Sequence, residues 1–339
     1  MLGRHVEFSD AITRTHDKIV ATQIEGFAVP HIVVDDVLSP GMVERVNANW
    51  PGPKAFGPEM PGNFIFHMYQ RDYGKMSDAE REFWVPFNEQ FWPAMIASCA
   101  QVFSPILKVV FDDLSEQHFG LDWPLTLAQG TPEYRGVNVH THFWHAPHWA
   151  FTVLLYIDPA DTLSSGTALH RIGGRSGESN YALDDLDETV MIAMDQLRWE
   201  ELGRQSPMNI ISYKPNRLFV MLDGPLAIHS VRSGPESTRK AISNGRRRVL
   251  RCHAKVHHAP FYDEHARRLG VPFGPHEYTR LMDWGAKLEG DDLKFRDTVI
   301  RRFYRERIAS YAQACAALSR PGGTIGSDVF LRQARERVP

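Results

Sequence analysis

Residues 137–158 read VNVHTHFWHAPHWAFTVLLYID: four histidines within nine positions (His140, His142, His145, His148), running straight into an apolar, β-rich stretch. The chain carries 16 histidines, so a cluster alone means little; its place just before a buried strand is the informative part. Side chains two apart in a strand share one face, so His140 and His142 can present two imidazoles to one metal ion. A third ligand must then come from another strand. His229 is the natural candidate, because it sits in PLAIHSVRSG directly after the strong strand pattern RLFVML.

Outward from this stretch the pattern stays β-rich. LTLAQ, GVNVHTH, AFTVLLYI, TALHRI, MNIISYK, RLFVML, AIHSV and RRVLRCHAKV are short strand-like runs separated by Gly, Pro, Asn and Asp, which predicts a sandwich or barrel. A helical, acidic insert at 181–205 interrupts them, either as a lid or as a decorated loop. Upstream, 9–24 reads as a helix and His31–Val34 as a short strand. Ser39 then caps a helix with Pro40 at its first position. Residues 52–76 are rich in Gly and Pro and read as loop. Ser77 and Glu80 form a capping box, and Pro86 and Pro93 are set to kink or split the helix that follows. Beyond 260 the chain reads as helical throughout. The expected class is α+β in three segments: 1–123 packing on the core, a β core at 124–258, and a helical extension at 259–339.

Composition narrows the function. Hydrophobic residues make up 43% and charged residues 23%, ordinary for a soluble globular chain. A net charge of −3 offers no electrostatic case for nucleic-acid binding. Three scattered cysteines without a CxxC fit neither a disulfide framework nor a cysteine zinc site, and suit a cytoplasmic setting. The N-terminus lacks the apolar region of a secretory signal. No window offers about 18 uninterrupted apolar residues, so no membrane partner is expected.

The order of features is recognisable. A His-x-(ligand) pair, a Thr-containing strand ending in Tyr, a Gly-led strand, a distal His and an Arg-led last strand together resemble the Fe(II)/2-oxoglutarate-dependent oxygenases, closest to their prolyl-hydroxylase-like branch. The likeness covers roughly 124–256, with an echo in PHIVVDDVLSPGMVERVN; the C-terminal 80 residues lie outside it. It implies a double-stranded β-helix (jelly-roll) core, Fe(II) and 2-oxoglutarate as cofactors, and O2 plus a small molecule as substrates. His140, His142 and His229 fall on the metal positions. Tyr156 falls on the tyrosine that holds the distal carboxylate of 2-oxoglutarate, and Thr152 lines the same strand face. For the carboxylate-gripping arginine, Arg239, Arg246, Arg247 and Arg248 compete. Leu250, Cys252 and Ala254 suit the inside of the last strand, with Arg251 and His253 outside. That parity selects Arg248 and leaves Arg246 and Arg247 solvated.

One position departs from the family. His142 stands where the family carries Asp or Glu, which removes a negative charge from the centre. Supply of the acid by Asp158 or Asp161 is disfavoured, since both lie at the far end of the next strand. Two other functions stay open: a three-histidine iron dioxygenase without 2-oxoglutarate, and a non-catalytic jelly-roll binding protein. His145 and His148 are expected at a surface or substrate rim, Trp144 and Trp149 in a pocket wall or in core packing, and His170 in a structural role. The C-terminal helices are candidates for a homodimer contact.

Overall fold

The computed structural model describes residues 2–25, 29–111, 121–131, 133–134, 136–157, 166–172, 180–181, 186–204, 209–232, 247–283 and 288–318. Helix α1 (Leu2–Val20) starts earlier than its sequence pattern suggests, and β1 (His31–Val34) follows. Helix α2 (Pro40–Ala48) opens as expected, with the Ser39 hydroxyl accepting from the Met42 N–H. The stretch 52–76 holds more than loop: β2 (Gly57–Met60) and β3 (Asn63–His67) form a hairpin there. Gly62, at φ 74°, permits the tight turn that a Gly/Pro count alone does not reveal.

The capping box at Ser77 and Glu80 starts α3 (Asp78–Pro86). Five residues of π-helix (Phe87–Phe91) then lead into α4 (Trp92–Val110), so the prolines do divide this segment. By length and composition Asp78–Val110 could cross a membrane. Its apolar side chains have partners here, however: Trp92, Met95, Ile96, Cys99, Phe103 and Leu107 are all buried in the main core.

Next come β4 (Leu121–Asp122), β5 (Thr126–Gly130), β6 (Gly136–His140), β7 (Trp149–Tyr156) and β8 (Gly166–Leu169). The insert forms α5 (Leu186–Met194) and α6 (Gln196–Arg204), and then β9 (Asn209–Ser212), β10 (Arg217–Leu222), β11 (His229–Arg232) and β12 (Arg247–Val256) complete the strands. They make two antiparallel sheets. The larger runs β1-β10-β7-β12-β5-β3-β2, with β4 also paired to β12; the smaller runs β6-β11-β8-β9. The N-terminal segment therefore contributes four strands, β1 to β4, to the larger sheet. Gly166 is required at the start of β8, because a Cβ there would lie 2.1 Å from the Ile211 carbonyl oxygen of β9.

Each face of the larger sheet has its own cover. Leu155, Leu250, Cys252 and Ala254 join α4 in the main core. Tyr156, Phe219, Met221 and Val249 face the other way, toward Leu169 and Ile211 of the smaller sheet. Among the described residues, α7 (His258–Leu269), α8 (Pro275–Leu281), α9 (Gly290–Phe295) and α10 (Arg301–Leu318) follow, with a π-helical stretch (Arg296–Ile300) leading into α10. They clamp the loop after β6. The Tyr278 hydroxyl donates to the Phe143 carbonyl (3.0 Å), the Trp144 indole N–H donates to the Met282 carbonyl (3.2 Å), and Phe143 stacks on Phe303 at 5.7 Å. Helix α5 packs along α10, tied by Arg305 to Asp187 at 2.8 Å, and Trp199 of α6 lies edge-on to Trp144.

Candidate metal centre

Two strand ends and the turn after β6 meet between the sheets. His140 ends β6, His229 begins β11, and the two are direct cross-strand partners. His142 lies two residues past the end of β6, in the turn rather than in the strand, yet its ring still converges on the other two. Ring centroids are 4.2 Å apart for His140–His229, 4.6 Å for His142–His229 and 5.1 Å for His140–His142. One ligand atom from each of the three lies within 4.8 Å of the others, so one ion can be reached by all three.

Hydrogen bonding fixes which nitrogen each ring offers. His140 Nδ1 is 2.7 Å from the Asn138 carbonyl and His229 Nδ1 is 3.0 Å from the Ala227 carbonyl. A carbonyl oxygen only accepts, so both Nδ1 atoms carry the proton and both Nε2 lone pairs are free. Burial and the neighbouring imidazoles hold both rings neutral: His140 is lowered to about 3, and His229 falls well below the usual histidine value. Neutral rings with bare Nε2 atoms are the form that binds a metal.

His142 is oriented by a carboxylate that sequence reading missed. Asp223 follows β10, is 0% exposed, and accepts from His142 Nδ1 through Oδ1 at 2.8 Å. Its Oδ2 accepts from the Thr152 hydroxyl at 2.7 Å. The Asp223 backbone is anchored as well, its N–H donating to the Ala150 carbonyl and its carbonyl accepting from the Tyr311 hydroxyl of α10. Gly224 makes this approach possible, since a Cβ there would meet the Tyr181 hydroxyl at 2.2 Å. A carboxylate thus returns to the centre behind His142. Asp158 and Asp161, the acids weighed from sequence, lie outside the described residues, as do Arg239 and Arg246. The one signal for Asp223 was its place in LDGP, six residues before His229.

Two further expectations change. Thr152 spends its hydroxyl within the protein: besides Asp223, it lies 3.1 Å from His142 Nδ1 and 3.0 Å from His253 Nδ1. It joins the ligand support together and leaves no donor for a cofactor. The face of the last strand is also inverted. Arg248 hydrogen-bonds Asn47 of α2 at 3.1 Å and lies over the Trp50 ring, on the helix-covered side. The apolar residues Leu250, Cys252 and Ala254 belong to that side because helices bury it. The odd-numbered positions face the site: His253 stacks on Trp149 at 4.1 Å and sits 4.8 Å from His142.

Arg247 is therefore the arginine on the Tyr156 side, and it is buried rather than solvated, at 8% exposure. Its guanidinium lies over Tyr134 and Tyr213, 5.2 and 5.7 Å from their ring centroids, and its Nε has no hydrogen-bond partner among the described residues. Tyr156 is fully buried beside Tyr213, its hydroxyl 3.2 Å from Thr167 Oγ1, and burial raises its pKa. A guanidinium and a phenol hydroxyl thus lie buried on the same side of the larger sheet, close enough to interact electrostatically. Of the remaining expectations, His145 is exposed, and His148 packs on His258 with burial lowering it to about 3. Trp149 walls the site, Trp144 is core, and His170 Nε2 pairs with the Ser230 hydroxyl at 2.9 Å.

No family model matches the sequence, and no curated protein does. Among solved structures the chain is similar to a prolyl 4-hydroxylase from Phytophthora capsici (13% identity, 96% of this chain and 88% of that one, TM-score 0.42). It is also similar to a 2OG-Fe(II) oxygenase family member from Burkholderia pseudomallei (9%, 67% and 84%, TM-score 0.39). A third neighbour is a prolyl-4-hydroxylase from Pseudomonas putida (12%, 72% and 99%, TM-score 0.37). These neighbours are of the kind that the sequence resemblance named. Likeness at this level says nothing of the chemistry, which has to be read from the side chains.

Proposed function

We propose that the chain is an Fe(II)- and 2-oxoglutarate-dependent oxygenase acting on a small molecule, with its two facing antiparallel sheets forming a double-stranded β-helix. The observation that carries the metal part is the convergence of three imidazoles, two of them fixed as Nδ1–H tautomers by backbone carbonyls and the third held by Asp223. Imidazole donors suit iron among other first-row metals. His140, His142 and His229 would hold the ion on one side and leave its other side open.

The buried Arg247, with an orphaned Nε, and the Tyr156 hydroxyl fit the distal carboxylate of 2-oxoglutarate. When bound, iron and 2-oxoglutarate supply O2-dependent oxidation of a C–H bond, with 2-oxoglutarate converted to succinate and carbon dioxide. The chain's own residues do the remaining work. Asp223 and the two carbonyls keep each Nε2 directed inward. Thr152 links Asp223 to His253, and Trp149 excludes water from one side of the centre.

The test is an anaerobic titration of metal-free protein with Fe(II), then 2-oxoglutarate, following the visible metal-to-ligand charge-transfer band. A band that weakens in Arg247→Met supports the proposal. A second reading, a dioxygenase that binds substrate directly to a three-histidine iron, is favoured by the all-nitrogen donor set. Iron binding with no band would select it, and absence of iron binding would refute both.

A further inference from the structure

The site face of β12 continues past His253 to Lys255, whose cross-strand partner is Trp149. Trp149 lies nearly parallel to the His253 ring, at 20°, and 5.1 Å from His142, so it forms a wall of the histidine centre. The Lys255 ammonium is 5.7 Å from the centroid of the same indole. Lys255 is half-buried, and among the described residues it makes no ion pair. Its other cross-strand partner is Asp122 of β4, an exposed acid, and histidines and Arg251 make up the basic part of its surroundings. Lys255 weighs on His67 of β3 together with Arg251, and on His148 and His258, in each case disfavouring the charged ring. Arg251, two residues before His253 on the same face, pairs with Glu59 but leaves a buried Nε without a hydrogen-bond partner among the described residues.

A half-buried ammonium with no ion pair among the described residues, on the strand face that also carries the Arg251 Nε–H, is an arrangement that an anion completes. The adjacent indole adds a flat apolar surface. We propose that Trp149, Arg251 and Lys255 form the substrate subsite beside the histidine centre, and that the substrate carries an anionic group, carboxylate or phosphate, on a flat or apolar body. This rests on the reading that substrate reacts at the histidine centre, and it adds a substrate class to that reading. The Lys255 end of the subsite is separate from Arg247: the two stand eight residues apart along β12, toward its opposite ends.

The test uses metal-free protein and three probes, benzoate, phenyl phosphate and benzyl alcohol, followed by ligand-observed NMR. The two anions are expected to bind about tenfold tighter or more than the neutral alcohol, a charge-assisted hydrogen bond being worth about 10- to 150-fold. Lys255→Met removes that preference with an unchanged melting temperature, and Lys255→Arg retains it. Whichever anion binds tighter names the headgroup, and either order supports the subsite. The proposal is overturned by equal binding of all three probes, by a preference that survives Lys255→Met, or by one that vanishes in Arg247→Met instead. Because the probes need no metal, a failed iron titration sinks the oxygenase reading and leaves this result standing. Loss of the anion preference alone sinks only the subsite.

Discussion

Replacing Asp223 by asparagine probes the metal centre without removing a ligand. The carboxylate accepts from two donors, His142 Nδ1 at 2.8 Å and Thr152 Oγ1 at 2.7 Å. An amide has one oxygen and one NH2, so it can accept from only one of them in place. If the NH2 turns toward His142, it donates to Nδ1 and drives the ring proton to Nε2, the nitrogen directed at the ion. If it turns toward Thr152, the hydroxyl must rotate away, and the link to His253 loosens. Loss of such an outer carboxylate typically costs 10–100-fold in metal affinity, or about 1.4–2.7 kcal/mol. Breaking a buried, charge-assisted bond costs the metal-free fold about 1–3 kcal/mol. The assay is an anaerobic Co(II) titration followed by visible absorption, with thermal unfolding of the metal-free protein alongside. Thr152→Val, which keeps the His142–Asp223 bond, should weaken binding less than Asp223→Asn. An Asp223→Asn protein that folds and binds Co(II) with wild-type affinity and spectrum would refute the orienting role.

Other expectations follow from the same geometry. His142→Asp should not restore a tight site, because it sets a second carboxylate near Asp223; combined with Asp223→Asn it should bind metal better than either single variant, a coupling read from a double-mutant cycle. Arg247→Met should raise the 2-oxoglutarate concentration needed for half-saturation by about tenfold or more, while Arg248→Met, on the helix side, should change melting temperature rather than cosubstrate binding. Acid should destabilise the fold through its buried neutral histidines. Burial, then Arg307, lowers His265 to about 2, and burial, then His258 and Lys255, lowers His148 to about 3. The unfolded chain takes up these protons near the ordinary value of about 6.5 and the folded chain does not, so stability falls as pH drops from about 6.5 toward 3. His265→Gln should flatten that slope in urea unfolding; an unchanged slope would remove His265 from the account.

By itself the sequence determined what local rules govern. Ser39 with Pro40 and the Ser77–Glu80 box start their helices as their chemistry requires, and β1 lies at His31–Val34 as read. The alternating runs became strands because period-two patterning is a local property. His140, His142 and His229 were legible as a set because the resemblance implies a ligand pair at a strand end and a distal histidine after a later strand. What sequence could not settle was which face is which. Strand parity groups Arg248 with Leu250 and Cys252 correctly, but both faces of β12 are buried, one by helices and one by the smaller sheet. Apolar residues therefore marked the helix side, and the site side is where Arg247, Arg251, His253 and Lys255 can stand. The hairpin β2–β3 hid in a Gly- and Pro-rich stretch because its pairing with β5 is long-range. Asp223 stayed invisible for the same reason: it lies 81 residues from His142, and only the packing of β10 beside β7, with Tyr311 from the last helix behind it, brings that carboxylate to the histidine.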